Sequence, residues 1–143
     1  MKAFHLQPAM LSYGGVFYPV GYIFLMFASE QDARDAAALL VGDGYDGEEI
    51  ALLTPAQIHD ELTRADGHLA PHAQPTSQEM HRVQRFLQLA QLGHHALMIY
   101  APTGHETSHI MQVLQGARIS YGQKYRPVSI EHLAGKETSI SVV

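Results

Sequence analysis

Two stretches of the chain are apolar at nearly every position rather than at alternate ones, and they decide what it can fold into. Residues 20–28 read VGYIFLMFA and residues 95–101 read HALMIYA. Runs this short, rich in branched and aromatic side chains, suit strands buried on two sides. Gly21 and the aromatic content argue against a buried helix in the first run. A strand that is apolar on both faces obliges the fold to cover its sheet twice.

Each run leads into a helix start. Ser29-Glu30-Gln31-Asp32 and Thr103-Gly104-His105-Glu106 both place a hydroxyl at the N-cap and an acid at N3, the pattern of a capping box. Ala33, Ala36, Ala37, Leu40 and Val41 then recur at helical spacing, as do Ile110, Val113, Leu114 and Ala117, so each helix has one apolar face. Gly42 and Gly44 stop the first helix. Residues 49–53 (EIALL) read as the next strand. Residues 125–133 (YRPVSIEHL), with Val128 and Ile130 on one face, read as the last. At an offset of 74 residues Ser29 falls on Thr103, Asp32 on Glu106 and Leu40 on Leu114. The chain therefore reads as two βαβ halves.

The segment between them is helical. Thr54-Pro55-Ala56-Gln57 is a capping box with Pro at N1. Residues 65–75 form a loop, and Thr76-Ser77-Gln78-Glu79 opens another helix. Met80, Val83, Leu87 and Ala90 mark its expected buried face, and Gly93 its end. The expectation is one α+β domain over residues 1–143. Its first βαβ half spans 20–53, a helical insert 54–93, a second βαβ half 95–133 and a tail 134–143. The implied plan is a ferredoxin-like split βαβ sandwich, a four-stranded sheet with two helices on one face. Either the insert or a second subunit must cover the other face, and on this ground a homodimer is expected.

The bulk numbers exclude several classes. The formal charge is −5 with only nine Lys and Arg, so no basic footprint for nucleic acid exists. With no cysteine there are no disulfides, thiolate metal sites or thiol nucleophile. The longest apolar run, Val16 to Ala28, is 13 residues and broken by Pro19 and Gly21, whereas a membrane span needs about 20. The amino end lacks a compact apolar signal core. The expected setting is cytoplasmic, without membrane association.

Three strings bear on chemistry. His105-Glu106-Thr107-Ser108-His109 satisfies H-E-x-x-H. On a helix His105 and His109 would share a zinc ion, and Glu106 would act as general base on a metal-bound water. The composition gives roughly 0.04 accidental matches, so the string is uncommon but not decisive. It also occupies the first turns of its helix, where Glu106 already serves the capping box. Both histidines fall off the Ile110–Val113–Leu114 stripe, and no third ligand motif follows. Gly42-Asp43-Gly44-Tyr45-Asp46-Gly47 is a literal G-x-G-x-x-G, but it follows a helix and leads into a strand. That order is the reverse of what phosphate binding requires, so it reads as a C-cap and turn. Arg118, Lys124 and Arg126 gather within nine residues, with Tyr121 and Tyr125 among them. Tyr121, Lys124 and Arg126 are the candidate contacts for a small anionic ligand.

Residues 23–55 (IFLMFASEQDARDAAALLVGDGYDGEEIALLTP) resemble the opening of the bacterial heat-induced general stress protein domain. There a strand ends at a small or acidic cap, an Ala-rich helix follows, and a Gly-aromatic turn leads into an I-x-L-L/V strand. Residues 96–119 (ALMIYAPTGHETSHIMQVLQGARI) resemble that domain's closing unit, which ends in L-x-x-x-G-A. The middle departs from it: a histidine-bearing helical pair stands where a glycine-rich apolar segment is usual. The resemblance implies a small cytoplasmic stress-related or regulatory domain without a known reaction, and it carries over no catalytic residues; the expectation is a non-enzymatic association domain without a cofactor. Two alternatives stand beside it, a zinc-dependent hydrolase built on HETSH and a small-ligand sensor of unknown ligand.

Overall fold

The computed structural model describes residues 2–3, 20–60, 77–126 and 130–135. The first strand, β1 (Lys2–Ala3), is followed by β2 (Tyr22–Phe27), α1 (Glu30–Gly42), a 3-10 turn (Gly47–Glu49) and β3 (Ile50–Leu53). Helix α2 begins at residues 55–60. Then come α3 (Ser77–Gln91), β4 (His95–Tyr100), α4 (Gly104–Val113), β5 (Ile119–Tyr125) and β6 (Ile130–Ala134). The class is α+β. The six strands form one sheet in the order β1-β3-β4-β2-β5-β6. The pairings from β3 to β6 are all antiparallel, and β1 lies parallel to β3 at the rim.

The helix starts are built as their sequences require. Ser29 Oγ accepts the Asp32 amide at 3.1 Å. Thr54 Oγ1 accepts the Gln57 amide at 3.2 Å while Gln57 Oε1 accepts the Thr54 amide at 2.9 Å, a complete reciprocal box. After α1 the chain turns through Gly44 at φ +101°. The 42–47 glycine string is thus a helix end followed by the 3-10 turn.

Strand β2 lies between β4 and β5, with Ile23, Phe24, Leu25, Met26 and Phe27 all fully buried. Its odd-numbered side chains pack with Ala33, Ala36 and Leu40 of α1 and Ile110 of α4. The alanines let α1 approach the sheet closely. Phe24 and Met26 point to the opposite face, where Phe86, Leu89 and Ala90 of α3 and Ile58 of α2 close over them. Phe86 stacks on Phe24 at 4.3 Å between ring centroids and meets Tyr121 edge-on at 5.9 Å. The insert therefore covers the chain's own sheet, and the second apolar face needs no other subunit to be buried.

Three expectations change. Among the described residues the sheet has six strands rather than four, because β1 and β6 extend the four-stranded order on its two sides. The last strand expected at 125–133 is displaced. The strand beside β2 is Ile119–Tyr125 and the outer β6 is Ile130–Ala134; residues 127–129 between them, Val128 included, lie outside the described residues. Ser120, Gly122, Gln123 and Lys124 hide β5 from any apolar pattern. Gly122 has a steric reason, since a Cβ there would stand 2.6 Å from Leu25 Cδ2. Third, the buried stripe of α3 runs through Phe86, Leu89 and Ala90, with Leu87 only half-buried at its border. The Met80 and Val83 side chains, the expected end of α2 near Arg64 and the tail beyond Gly135 lie outside the described residues.

If α3 covers the sheet through Phe86, Phe86→Ala should cost about 3–5 kcal/mol, the range for emptying a buried aromatic site. Urea unfolding of the two proteins measures it. A loss below about 1 kcal/mol, the size of an ordinary surface effect, would mean that α3 is not anchored there.

Candidate functional site

The chain leaves β4 at Tyr100, passes the buried Ala101 and enters α4 through Pro102 and Thr103. Thr103 Oγ1 accepts the Glu106 amide at 3.1 Å and donates to Glu106 Oε1, also at 3.1 Å. Glu106 thus holds the helix start. His105 and His109 are exposed on the outer face. His109 Nε2 lies 2.7 Å from Oδ2 of Asp43, the residue that caps the end of α1, so this histidine ties two helices together. Among the described residues no three His, Cys, Asp or Glu side chains converge to hold a metal ion. The HETSH string thus carries a helix cap and an inter-helix contact.

The more informative group lies on β5. Lys124 points to the α4 side of the sheet and is only 4% exposed. Its Nζ donates to the Ala101 carbonyl and to Thr107 Oγ1, both at 2.6 Å. Thr107 Oγ1 in turn donates to the Thr103 carbonyl at 3.1 Å. One amine thus joins the ends of β4 and β5 to the first turn of α4. Burial pulls the Lys124 pKa below its ordinary value and the Arg126 charge adds to this, while Glu131 and Glu106 partly oppose them.

Lys124 and Arg126 share the lining of an open cleft of about 360 Å³, together with Val20, Gly21, Tyr100 and Pro102. Gly21 holds its floor. At φ +87° it donates to the Tyr125 carbonyl and accepts from the Ala101 amide, both at 2.9 Å, so it pins β5 and β4 to the start of β2. Its absent side chain leaves room for the Tyr100 ring, 3.2 Å from where a Cβ would stand. Behind Tyr100, the Tyr45 hydroxyl donates to its carbonyl at 2.7 Å. Burial, then Glu106 and Glu49, push that hydroxyl's pKa up to about 12.

Arg126 is half-exposed and donates to Glu131 Oε1 at 2.8 Å. It also borders a second cleft of about 450 Å³ between α4 and β6, lined by Thr107, Ser108, Met111 and Leu133. Gly104, the first residue of α4, borders both clefts. Two cationic side chains and the positive end of a helix therefore meet at one place, an arrangement suited to an anion.

The three sequence-derived ligand candidates divide. Lys124 and Arg126 meet at this cleft. Tyr121 sits on the opposite face of the sheet, fully buried beneath α3. Side chains alternate along a strand, and the Lys124 side chain turns to Thr107 of α4 while Tyr121 meets Phe86 of α3. Sequence reasoning missed Gly21, Tyr100 and Thr107. Thr107 had a faint signal, being a hydroxyl one helical turn beyond the Thr103 cap.

Two outcomes follow. A lysine with a depressed pKa binds its proton less well folded than unfolded. Its stability contribution therefore rises with pH from the depressed value up to the ordinary 10.5 and is least favourable below that window. Unfolding free energies of wild type and Lys124→Met, measured against pH, should diverge in the wild type's favour as pH climbs through it, and parallel profiles would refute the assignment. Separately, Thr103→Ala should cost about 1 kcal/mol through loss of the cap. His109→Ala should cost under about 0.5 kcal/mol, because its Asp43 contact is solvent-exposed. Thermal unfolding distinguishes the two.

Comparison with protein-family models, curated proteins and solved structures found no match to this chain.

Proposed function

We propose that this chain is a non-enzymatic regulatory domain of ferredoxin-like plan that binds a small anion at the amino end of α4. The observation that carries the reading is the nine-tenths-buried Lys124 amine lining the same open cleft as Arg126. A buried cation is costly unless something compensates it. Among the described residues Lys124 is hydrogen-bonded to two neutral oxygens, so an anion would complete its environment. The inner strand order β3-β4-β2-β5, with α1 and α4 as the crossovers, supports the ferredoxin-like plan. A ligand there would bridge β5 to α4 and couple occupancy to the position of that helix. The resemblance to the general stress protein domain supplies the proposed context, a stress-related role in a bacterial cytoplasm.

A second reading, association into a homodimer, is favoured by β6. It is the outermost described strand on its side of the sheet, and all five of its residues are partly exposed. An edge of this kind can accept a strand from another copy.

Calorimetric titration with inorganic phosphate and sulfate tests the first reading. Both should bind the wild-type protein. Arg126→Gln, a change at a half-exposed side chain that should leave folding intact, should weaken them at least about tenfold, the worth of one charge-assisted hydrogen bond. No binding to the wild type, or equal binding to the variant, would sink the proposal.

A further inference from the structure

On the other face of the sheet three polar atoms are buried without a hydrogen-bond partner: Nε of Arg85, Oε1 of Gln88 and Nδ1 of His132. Folded proteins leave few such atoms, and each demands a physical explanation. Arg85 and His132 flank the same ring, that of Tyr121, and Gln88 follows Arg85 by one turn of α3. Arg85 and Gln88, three residues apart on α3, are neighbours on one flank of that helix. The Arg85 guanidinium carbon is 5.7 Å from the centroid of the Tyr121 ring, and the His132 ring lies 5.6 Å from the same centroid. His132 enters from β6, opposite Gln123. Tyr121 is thus the shared wall between a helix flank and the outer strand.

The chemistry of the three atoms is complementary to one class of molecule. Arg85 Nε–H is a cationic donor, and among the described residues no carboxylate pairs with it. Gln88 Oε1 is an acceptor. His132 Nε2 lies 2.6 Å from the Gly135 carbonyl, which only accepts, so that nitrogen carries the proton. In the neutral ring Nδ1 is then a second acceptor. The adjoining surface of β5 is also polar, since the buried Gln123 donates from Nε2 to the Tyr125 hydroxyl at 2.7 Å. A ligand that answers all three groups carries an anionic acceptor and a hydroxyl donor close together.

We propose that the corner between α3 and β5–β6 is a binding site for a small hydroxylated carboxylate. Its carboxylate meets Arg85, and its hydroxyl donates to His132 Nδ1 or Gln88 Oε1. Arg85 and Gln88 lie across the sheet from the Lys124 cleft, while His132 also borders the second cleft beside Arg126; the site does not depend on the function proposed there.

Glycolate, which carries both groups, is the probe, with acetate and ethylene glycol as single-group controls. Calorimetry on the full chain should show glycolate binding more tightly than either control. Arg85→Gln should weaken glycolate at least tenfold, and His132→Phe should reduce its advantage over acetate. Arg126→Gln, which weakens general anion binding in the α4 cleft, should leave the preference for glycolate over acetate unchanged. If Arg85→Gln does not fold, Gln88→Met takes its place, with the same loss of the preference over acetate expected. Absence of glycolate binding, equal affinity for acetate, undiminished glycolate binding in Arg85→Gln, or a preference over acetate that survives both His132→Phe and Gln88→Met would overturn the proposal. Loss of glycolate binding in Arg126→Gln would also overturn it, placing the molecule in the α4 cleft instead.

Discussion

The rest of the structure depends on how β2 is buried. Five consecutive residues, Ile23 to Phe27, are wholly out of contact with water. A strand so placed has no solvent to satisfy its amides, so β4 and β5 must pair with it along both edges. Its side chains alternate between two apolar clusters, so both faces of the sheet must be roofed. The two roofs arise differently. Helices α1 and α4 are the crossovers that carry the chain between non-adjacent strands. Helices α2 and α3 are an enlargement of the β3–β4 connection, folded back over the face that the crossovers leave bare.

The two sites follow from this layering. Where β2 begins, at Gly21, the α1–α4 roof runs out, and the ends of β4 and β5 are left to be joined by side chains. Lys124 does this through Ala101 and Thr107. On the opposite face α3 covers the centre of the sheet but meets the β5–β6 side with polar residues of its flank. Strand β5 serves both faces at once. Lys124 looks toward α4, while Tyr121, Gln123 and Tyr125 look toward α3.

What was legible in the sequence was local. Capping boxes at Ser29, Thr54 and Thr103 could be read because a hydroxyl at N-cap acts within three residues of itself. The runs around Phe24 and Met98 could be read because burial on two faces leaves no polar position. Strand β5 could not. Its core contribution is made by tyrosines, a glycine forced by Leu25 and a lysine whose amine bonds to oxygens 17 and 23 residues upstream. None of these carries an apolar signature. For the same reason Lys124 and Arg126 could be flagged only as charges, and Tyr121 was grouped with them by proximity along the chain. The HETSH string was ambiguous for the opposite reason, because a cap and an exposed pair to Asp43 use the same residue types as a metal site.

The strand order also bears on how the protein is made. Tyr22 pairs with Tyr100 and Ile23 with Lys124, so both neighbours of the central strand come from the second half of the chain. On a ribosome β2 and α1 emerge early, and β2 gains its first strand partner only when β4 follows the whole insert, and its second only with β5. During that interval the most apolar segment of the protein is exposed as an open strand, the state most prone to aggregation. The small polar-faced helix α1, capped at once by Ser29 and able to lay its alanines against β2, is the only early-made element placed to shield it among the described residues. A fold that looks symmetrical when finished is therefore strongly asymmetrical in time, with its first half waiting on its last.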